Sequence, residues 1–266
     1  DTTHPDLAGR LWVNPGEIPS NGIDDDNNGY VDDVNGWNFV GSNNNLVDDN
    51  GHGTQVAGVA GAATDNTIGI AGMCWYCRLM IVKAMQAGGV ANYSDIAAAV
   101  NYASAKGAQV INISLGGYAD SATLRAAVEA ASASAVIVGG AGNDHVGTPC
   151  FPAAYSNVLA VASTTSSDTK AAFSAYGSWV DVAAPGVAIS TTFSGGDYGT
   201  SEGTSLSAPL VAGLAGLLKS LHPDWSPALV RAQIVHTTGA ITETQLGSGR
   251  INAVQAMLPP QPLFSI

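Results

Sequence analysis

The sequence predicts an α/β protein built on a parallel sheet with crossover helices, and three observations carry that prediction. From about residue 79 onward, short β-branched runs alternate with longer Ala-rich stretches, the rhythm of strands and the helices that cover them. Runs such as Val110-Ile111-Asn112-Ile113 are apolar almost throughout, as expected of strands covered on both faces. A chain of 266 residues with no linker-like interior can also bury one large core.

The strands are expected over Leu79–Met85, Gln109–Ser114, Ala135–Gly139, Val158–Ala162 and Trp179–Val182. Between them helices are expected from Tyr93 to Lys106, stopped by Gly107, and from Ser121 to Ala131, where Ala and Leu supply propensity. Two more helices should begin near His52 and near Ser205. The small residues that follow, Gln55-Val56-Ala57-Gly58-Val59-Ala60-Gly61 and Ala208-Pro209-Leu210-Val211-Ala212-Gly213-Leu214, suit helices packed close to other backbone. One domain is expected over 1–258, with 259–266, which holds Pro259, Pro260 and Pro262, as a tail or the start of a linker.

Lys and Arg total 9 and the formal charge is −12, which excludes nucleic acid and other polyanions as partners. No run of about 18 apolar residues exists, so no membrane span is expected, and a monomer is expected. Neither an initiator Met nor a charged-then-apolar leader opens the chain, which reads as a processed product or a fragment. Cys74 and Cys77 stand two residues apart and Cys150 stands alone. A zinc site lacks its other ligands, which leaves a Cys74–Cys77 disulfide, with reduced structural thiols or a redox pair as alternatives.

Acyl transfer needs a nucleophile, a base and donors for the oxyanion, brought together at one edge of a sheet. Three segments offer such parts. In Asn50-Gly51-His52-Gly53-Thr54 a His lies among glycines at a helix start, and in Gly203-Thr204-Ser205-Leu206-Ser207-Ala208-Pro209 a Ser lies at a helix N-terminus, where free N–H groups favour negative charge. In Gly139-Gly140-Ala141-Gly142-Asn143-Asp144 an Asn sits at the carboxyl end of a strand. Taken singly, each is also an ordinary turn or cap.

In this order the three segments resemble the His, Asn and Ser motifs of the subtilase family, and the resemblance runs from His4-Pro5-Asp6-Leu7 to Gly247-Ser248-Gly249-Arg250-Ile251-Asn252-Ala253. It implies a doubly wound, largely parallel sheet with helices on both faces. It also implies a secreted, extracellular serine endopeptidase acting on polypeptide substrates. His52 is then the base, Ser205 the nucleophile, and Asn143 with the Ser205 N–H the oxyanion hole. Ser114, Leu115 and Gly116, opposite Ala141 and Gly142, resemble the walls of the primary specificity pocket, with Cys150 at its floor, so an uncharged, medium-sized residue is expected before the scissile bond. Gly89 and Val90 resemble the edge that pairs with an extended substrate. Gln55 stands where the family commonly has a second His. The family's catalytic Asp lies upstream of the His-Pro-Asp-Leu segment, which places it before Asp1, and Asp1 itself is not assigned to the triad. The peptidase domain is therefore expected to be incomplete at its N-terminus.

The segment from Asp24 to Asn35 has oxygen ligands at alternate positions and Gly29 at the sixth, the spacing of a calcium loop, with Asn35 in place of Glu at the end. Calcium is expected on Asp24, Asp26, Asn28, the Tyr30 carbonyl, and Asp32 or Asp33. Asp48 and Asp49 offer a second ion site. Two functions of other classes compete with the peptidase: a catalytically impaired binding module of the same fold, and a calcium-stiffened adhesion module.

Overall fold

The computed structural model describes residues 1–258, so the expectation of a tail over 259–266 lies outside the described residues. In chain order the elements are β1 (Gly36–Asn38), α1 (His52–Gly61), β2 (Ile81–Lys83), α2 (Tyr93–Ala105), β3 (Val110–Ile113) and α3 (Ala122–Ala131). They continue with β4 (Val136–Gly140), β5 (Val158–Thr164), β6 (Val182–Pro185), β7 (Ile189–Phe193), β8 (Asp197–Ser201), α4 (Thr204–Leu221), α5 (Pro227–His236) and α6 (Ala253–Met257).

The central sheet runs β3-β4-β5-β6, every neighbour parallel. Side-chain alternation divides its two faces. Ile111, Ile113 and Ile137 pack with Ile96 and Val100 of α2 and Leu124 and Val128 of α3. Val136, Val138, Leu159 and Val161 point the other way, onto Val211, Leu214 and Leu218 of α4 and Val230 and Ile234 of α5. Each such buried aliphatic side chain contributes about 2 kcal/mol. The result is the expected α/β sheet with helices on both faces.

Strands β1 and β2 form a separate parallel pair, with Trp37 opposite Val82. The edge of β2 away from β1 and the edge of β3 away from β4 both lack a partner strand among the described residues. Between them runs a cavity of about 680 Å³, lined by Ile81–Lys83 on one side and Val110–Ile113 on the other, with His52 and Asp1 also on its wall.

Most expected elements form with shifted ends, and one strand moves. The strand expected at Trp179–Val182 begins at Val182 and continues to Pro185. Trp179 instead donates its indole N–H to the Gly147 carbonyl in the preceding loop, and the Ala183-Ala184 continuation carries no β-branched signal. Helix α4 corrects a second expectation. It is 18 residues long with mean hydropathy 1.3, long and apolar enough to span a membrane. It is nonetheless a core helix, packed against α1, α5 and the sheet. Cys74 and Cys77 are paired, their Cα atoms 5.5 Å apart, and Cys150 is a buried free thiol.

Candidate active site

Helix α1 opens at His52 after Gly51, whose φ of 91° lies in the left-handed region that glycine adopts freely. The first turn is organised by Asp48, which accepts from the N–H groups of Asn50, Gly51 and Thr54 and from the Thr54 hydroxyl. Burial alone raises a carboxyl pKa, but these four donors outweigh it and hold Asp48 at about 2. Helix α1 can lie against β7 because Gly58 has no side chain: a Cβ there would stand 2.2 Å from the Thr192 hydroxyl. Thr191 and Thr192 also donate to the carbonyls of Gln55 and Thr54. Burial lowers the pKa of His52, with the Asp48 charge opposing it in part, which favours the neutral ring that a general base requires.

Helix α4 opens at Thr204 after Gly203, buried with φ 137°. Pro209 inside the helix has no N–H to offer the Ser205 carbonyl. That carbonyl is satisfied from outside, by the Ser114 hydroxyl at 2.9 Å, and the Ser205 hydroxyl in turn reaches the Ser114 carbonyl at 3.4 Å. The nucleophile candidate is thereby tied to the wall segment that follows β3. That segment, Ser114, Leu115 and Gly116, lines with His52, Asn50 and Gly89 a groove of about 430 Å³, and Ser205 is joined to this lining through its hydrogen bonds with Ser114. Among the described residues no hydrogen bond joins His52 to Ser205, and the Asp1 carboxylate bonds Thr3 and the Gly195 N–H, not His52.

Asn143 is set by a residue that the sequence reading did not single out. Its side-chain oxygen accepts from both the N–H and the hydroxyl of buried Thr204, at 2.9 and 3.0 Å, which leaves its NH2 free to donate. The same hydroxyl accepts from the Gly142 N–H. Thr204 therefore joins the strand end at 142–143 to the start of α4. Cys150 lies between the two walls: a Cβ on Gly116 would stand 2.8 Å from its sulfur and one on Gly142 3.6 Å. Ala141 is fully buried behind this wall. Val90 is exposed and follows a turn closed by the Gln86 N–H on the Val90 carbonyl.

The acidic loop is arranged differently from the alternate-ligand reading. Carboxylate oxygens of Glu17, Asp24 and Asp26 lie within 4.8 Å of one another, and Asp26 Oδ1 is buried without a partner. Glu17, which precedes the expected loop, organises it by accepting from the N–H groups of Asp25, Asp26 and Asp32. Asp32 caps the turn at Asn21 and Gly22. Asp33, fully buried, accepts from Asn14, Asn28 and Tyr102 and lies 3.4 Å from the Lys106 ammonium. Asn28 is spent on Asp33 and on the Tyr30 N–H, and the Tyr30 ring packs edge-on against Trp37, Phe39 and Tyr102. Asp48 and Asp49 do not converge: Asp48 caps α1, and Asp49 pairs with Lys83 at 2.7 Å.

Comparison with known proteins agrees with this architecture. The model of the subtilase family matches residues 1–256. Thermitase of Thermoactinomyces vulgaris is 39% identical over 259 residues, covering 96% of this chain and 84% of that sequence. Alkaline elastase YaB of a Bacillus strain is 42% identical over 223 residues, 83% of this chain but 59% of its own length. A solved protease of Pseudoalteromonas arctica superposes with a TM-score of 0.74 at 34% identity, covering 77% of this chain and 69% of that one. With its sheet, its helix-borne Ser and His and its relatives all in accord, the chain belongs to the subtilase family of serine endopeptidases.

Proposed function

We propose that the protein is a secreted endopeptidase in which Ser205 attacks the scissile carbonyl. His52 takes the Ser205 proton and returns it to the leaving amine, while the Asn143 NH2 and the Ser205 N–H hold the oxyanion. The observation that carries this reading is the bonding of Thr204 to Asn143 and of Ser114 to Ser205, which ties nucleophile, oxyanion donor and pocket wall into one rigid unit. A binding or adhesion module needs no such unit. Ser114, Leu115, Gly116, Ala141, Gly142 and Cys150 take the side chain before the scissile bond, Gly89 and Val90 align the substrate backbone, and none of these groups is charged. The Cys74–Cys77 pairing supports an oxidising, extracellular location. The test is a serine-reactive phosphonate, expected to label Ser205 alone; an unlabelled Ser205 in a protein that melts cooperatively would refute the enzyme reading.

The strand slot between β2 and β3 completes the mechanism. A parallel strand entering it would pair both open edges, and a carboxylate at its end would come to the wall that His52 also lines. We assign the catalytic Asp to such a strand upstream of Asp1.

Calcium is the second part of the proposal. The acidic loop fits a hard cation: Glu17, Asp24 and Asp26 converge, and the unpartnered Asp26 Oδ1 is an oxygen in want of a ligand. Within the set expected from the sequence, Asp24 and Asp26 are the direct ligands, while Asp32, Asp33 and Asn28 shape the loop. The ion neutralises charge and stiffens the loop, and takes no part in the chemistry. Excess chelator is expected to lower the melting temperature by several degrees and to speed self-digestion. An unchanged melting curve in chelator would rule the site out.

A further inference from the structure

The two walls of the side-chain pocket are joined a second time, at their outer ends. Beyond Gly116 the first wall pairs with the floor, Gly117 and Phe151 exchanging both backbone hydrogen bonds at 2.9 and 2.8 Å, and the next residue is Tyr118. Beyond Asn143 the second wall ends in Asp144. The Tyr118 hydroxyl donates to the Asp144 carboxylate. Both residues are exposed, Tyr118 at 46%. Among the described residues Asp144 forms no salt bridge, and Tyr118 is its hydrogen-bond partner.

This carboxylate stands at the outer end of a pocket whose expected walls, Ser114, Leu115, Gly116, Ala141, Gly142 and Cys150, are uncharged. Its field reaches the floor, since the Cys150 thiol is pushed up to about 11 by burial first and by the Asp144 charge second. The hydrogen bond is felt at the other end too, holding the Tyr118 phenol up at about 12. A basic substrate side chain threading between the walls would meet Asp144 at the rim, where it already accepts from Tyr118.

We propose that Tyr118 and Asp144 form a clasp across the outer end of the pocket, in which Tyr118 sets selectivity by occupying a carboxylate that would otherwise receive a Lys or Arg side chain before the scissile bond. The inference rests on the peptidase reading above. Tyr118→Phe keeps the ring and removes only the donor, leaving Asp144 free to pair with the substrate ammonium; Asp144→Asn removes the charge.

The test is the ratio of kcat/KM for two peptides that differ only in Lys or Leu before the scissile bond. It is measured on the natural full-length protein and on Tyr118→Phe, Asp144→Asn and the double variant, with melting curves to confirm folding. Tyr118→Phe is expected to raise the Lys-to-Leu ratio about three- to tenfold, the scale of a rim ion pair with one good hydrogen bond. The double variant is expected to show no rise. An unchanged ratio in Tyr118→Phe overturns the clasp, and an equal rise in the double variant shows mere steric opening and overturns it as well. A wild type that cleaves the Leu peptide separates failure of the clasp from failure of the peptidase reading. One that cleaves neither peptide and takes no phosphonate overturns both.

Discussion

In the protein that carries the triad Asp, replacing Ser205 with alanine is expected to lower kcat by about 10⁶-fold, the scale known for loss of the nucleophile in subtilisin, a relative within the same family. The groove, Asn143 and Thr204 survive the change, so about 10³-fold of catalysis over water should remain from the oxyanion hole and binding. Stability should move little, within about 0.5 kcal/mol, because the lost hydroxyl makes a single long contact of 3.4 Å with the Ser114 carbonyl. The measurement is single-turnover hydrolysis of a chromogenic peptide beside a thermal melt. A loss below a hundredfold would mean that a different group attacks the carbonyl.

A protein extended upstream of Asp1 by its natural residues is expected to turn over about 10⁴ times faster than residues 1–266 alone. In subtilisin, removal of the triad Asp costs about 3 × 10⁴, because that carboxylate fixes the tautomer of the His and stabilises the imidazolium. Here the carboxylates near His52 are otherwise engaged: Asp48 is filled by four donors and Asp49 by Lys83. The same addition should raise solubility, since β2 and β3 each offer an unpaired edge to the cavity between them. Equal turnover by the two forms would show that Asp1, Asp48 or Asp49 already serves His52, and mutation of each in turn would identify it.

What the sequence revealed and what it hid divide along physical lines. Helices α2 and α3 and strands β3 to β5 were legible because Ala-rich and β-branched runs alternate cleanly there. The hairpin of β7 and β8 lies outside the expected strands although Ser194-Gly195-Gly196 marks its turn, because in Ile189-Ser190-Thr191-Thr192-Phe193 the apolar residues stand only at the two ends. Its Thr191 and Thr192 matter, since their hydroxyls anchor the first turns of α1. His52, Ser205 and Asn143 stood out because each sits in a long, glycine-marked segment. Thr204 carries no such mark and looks like a cap; only the fold shows its hydroxyl between Gly142 and Asn143. Glu17 was hidden for a different reason. Its place in the acidic cluster depends on the chain folding back over the loop, and local spacing does not report that.

Under the proposed mechanism, the Thr204 clamp has a consequence for when the work of catalysis is done. A side-chain amide on an exposed strand end ordinarily samples several rotamers and either flip, and ordering it costs about 1 kcal/mol or more at the moment it is needed. Here two bonds from one buried Thr fix both the rotamer and the flip of Asn143 as α4 docks. That ordering therefore belongs to the free energy of folding and is absent from the activation barrier, which is the condition under which a preset dipole accelerates a reaction most. Thr204→Val, nearly the same shape, would hand that reorganisation back to each turnover while leaving every reacting group in place.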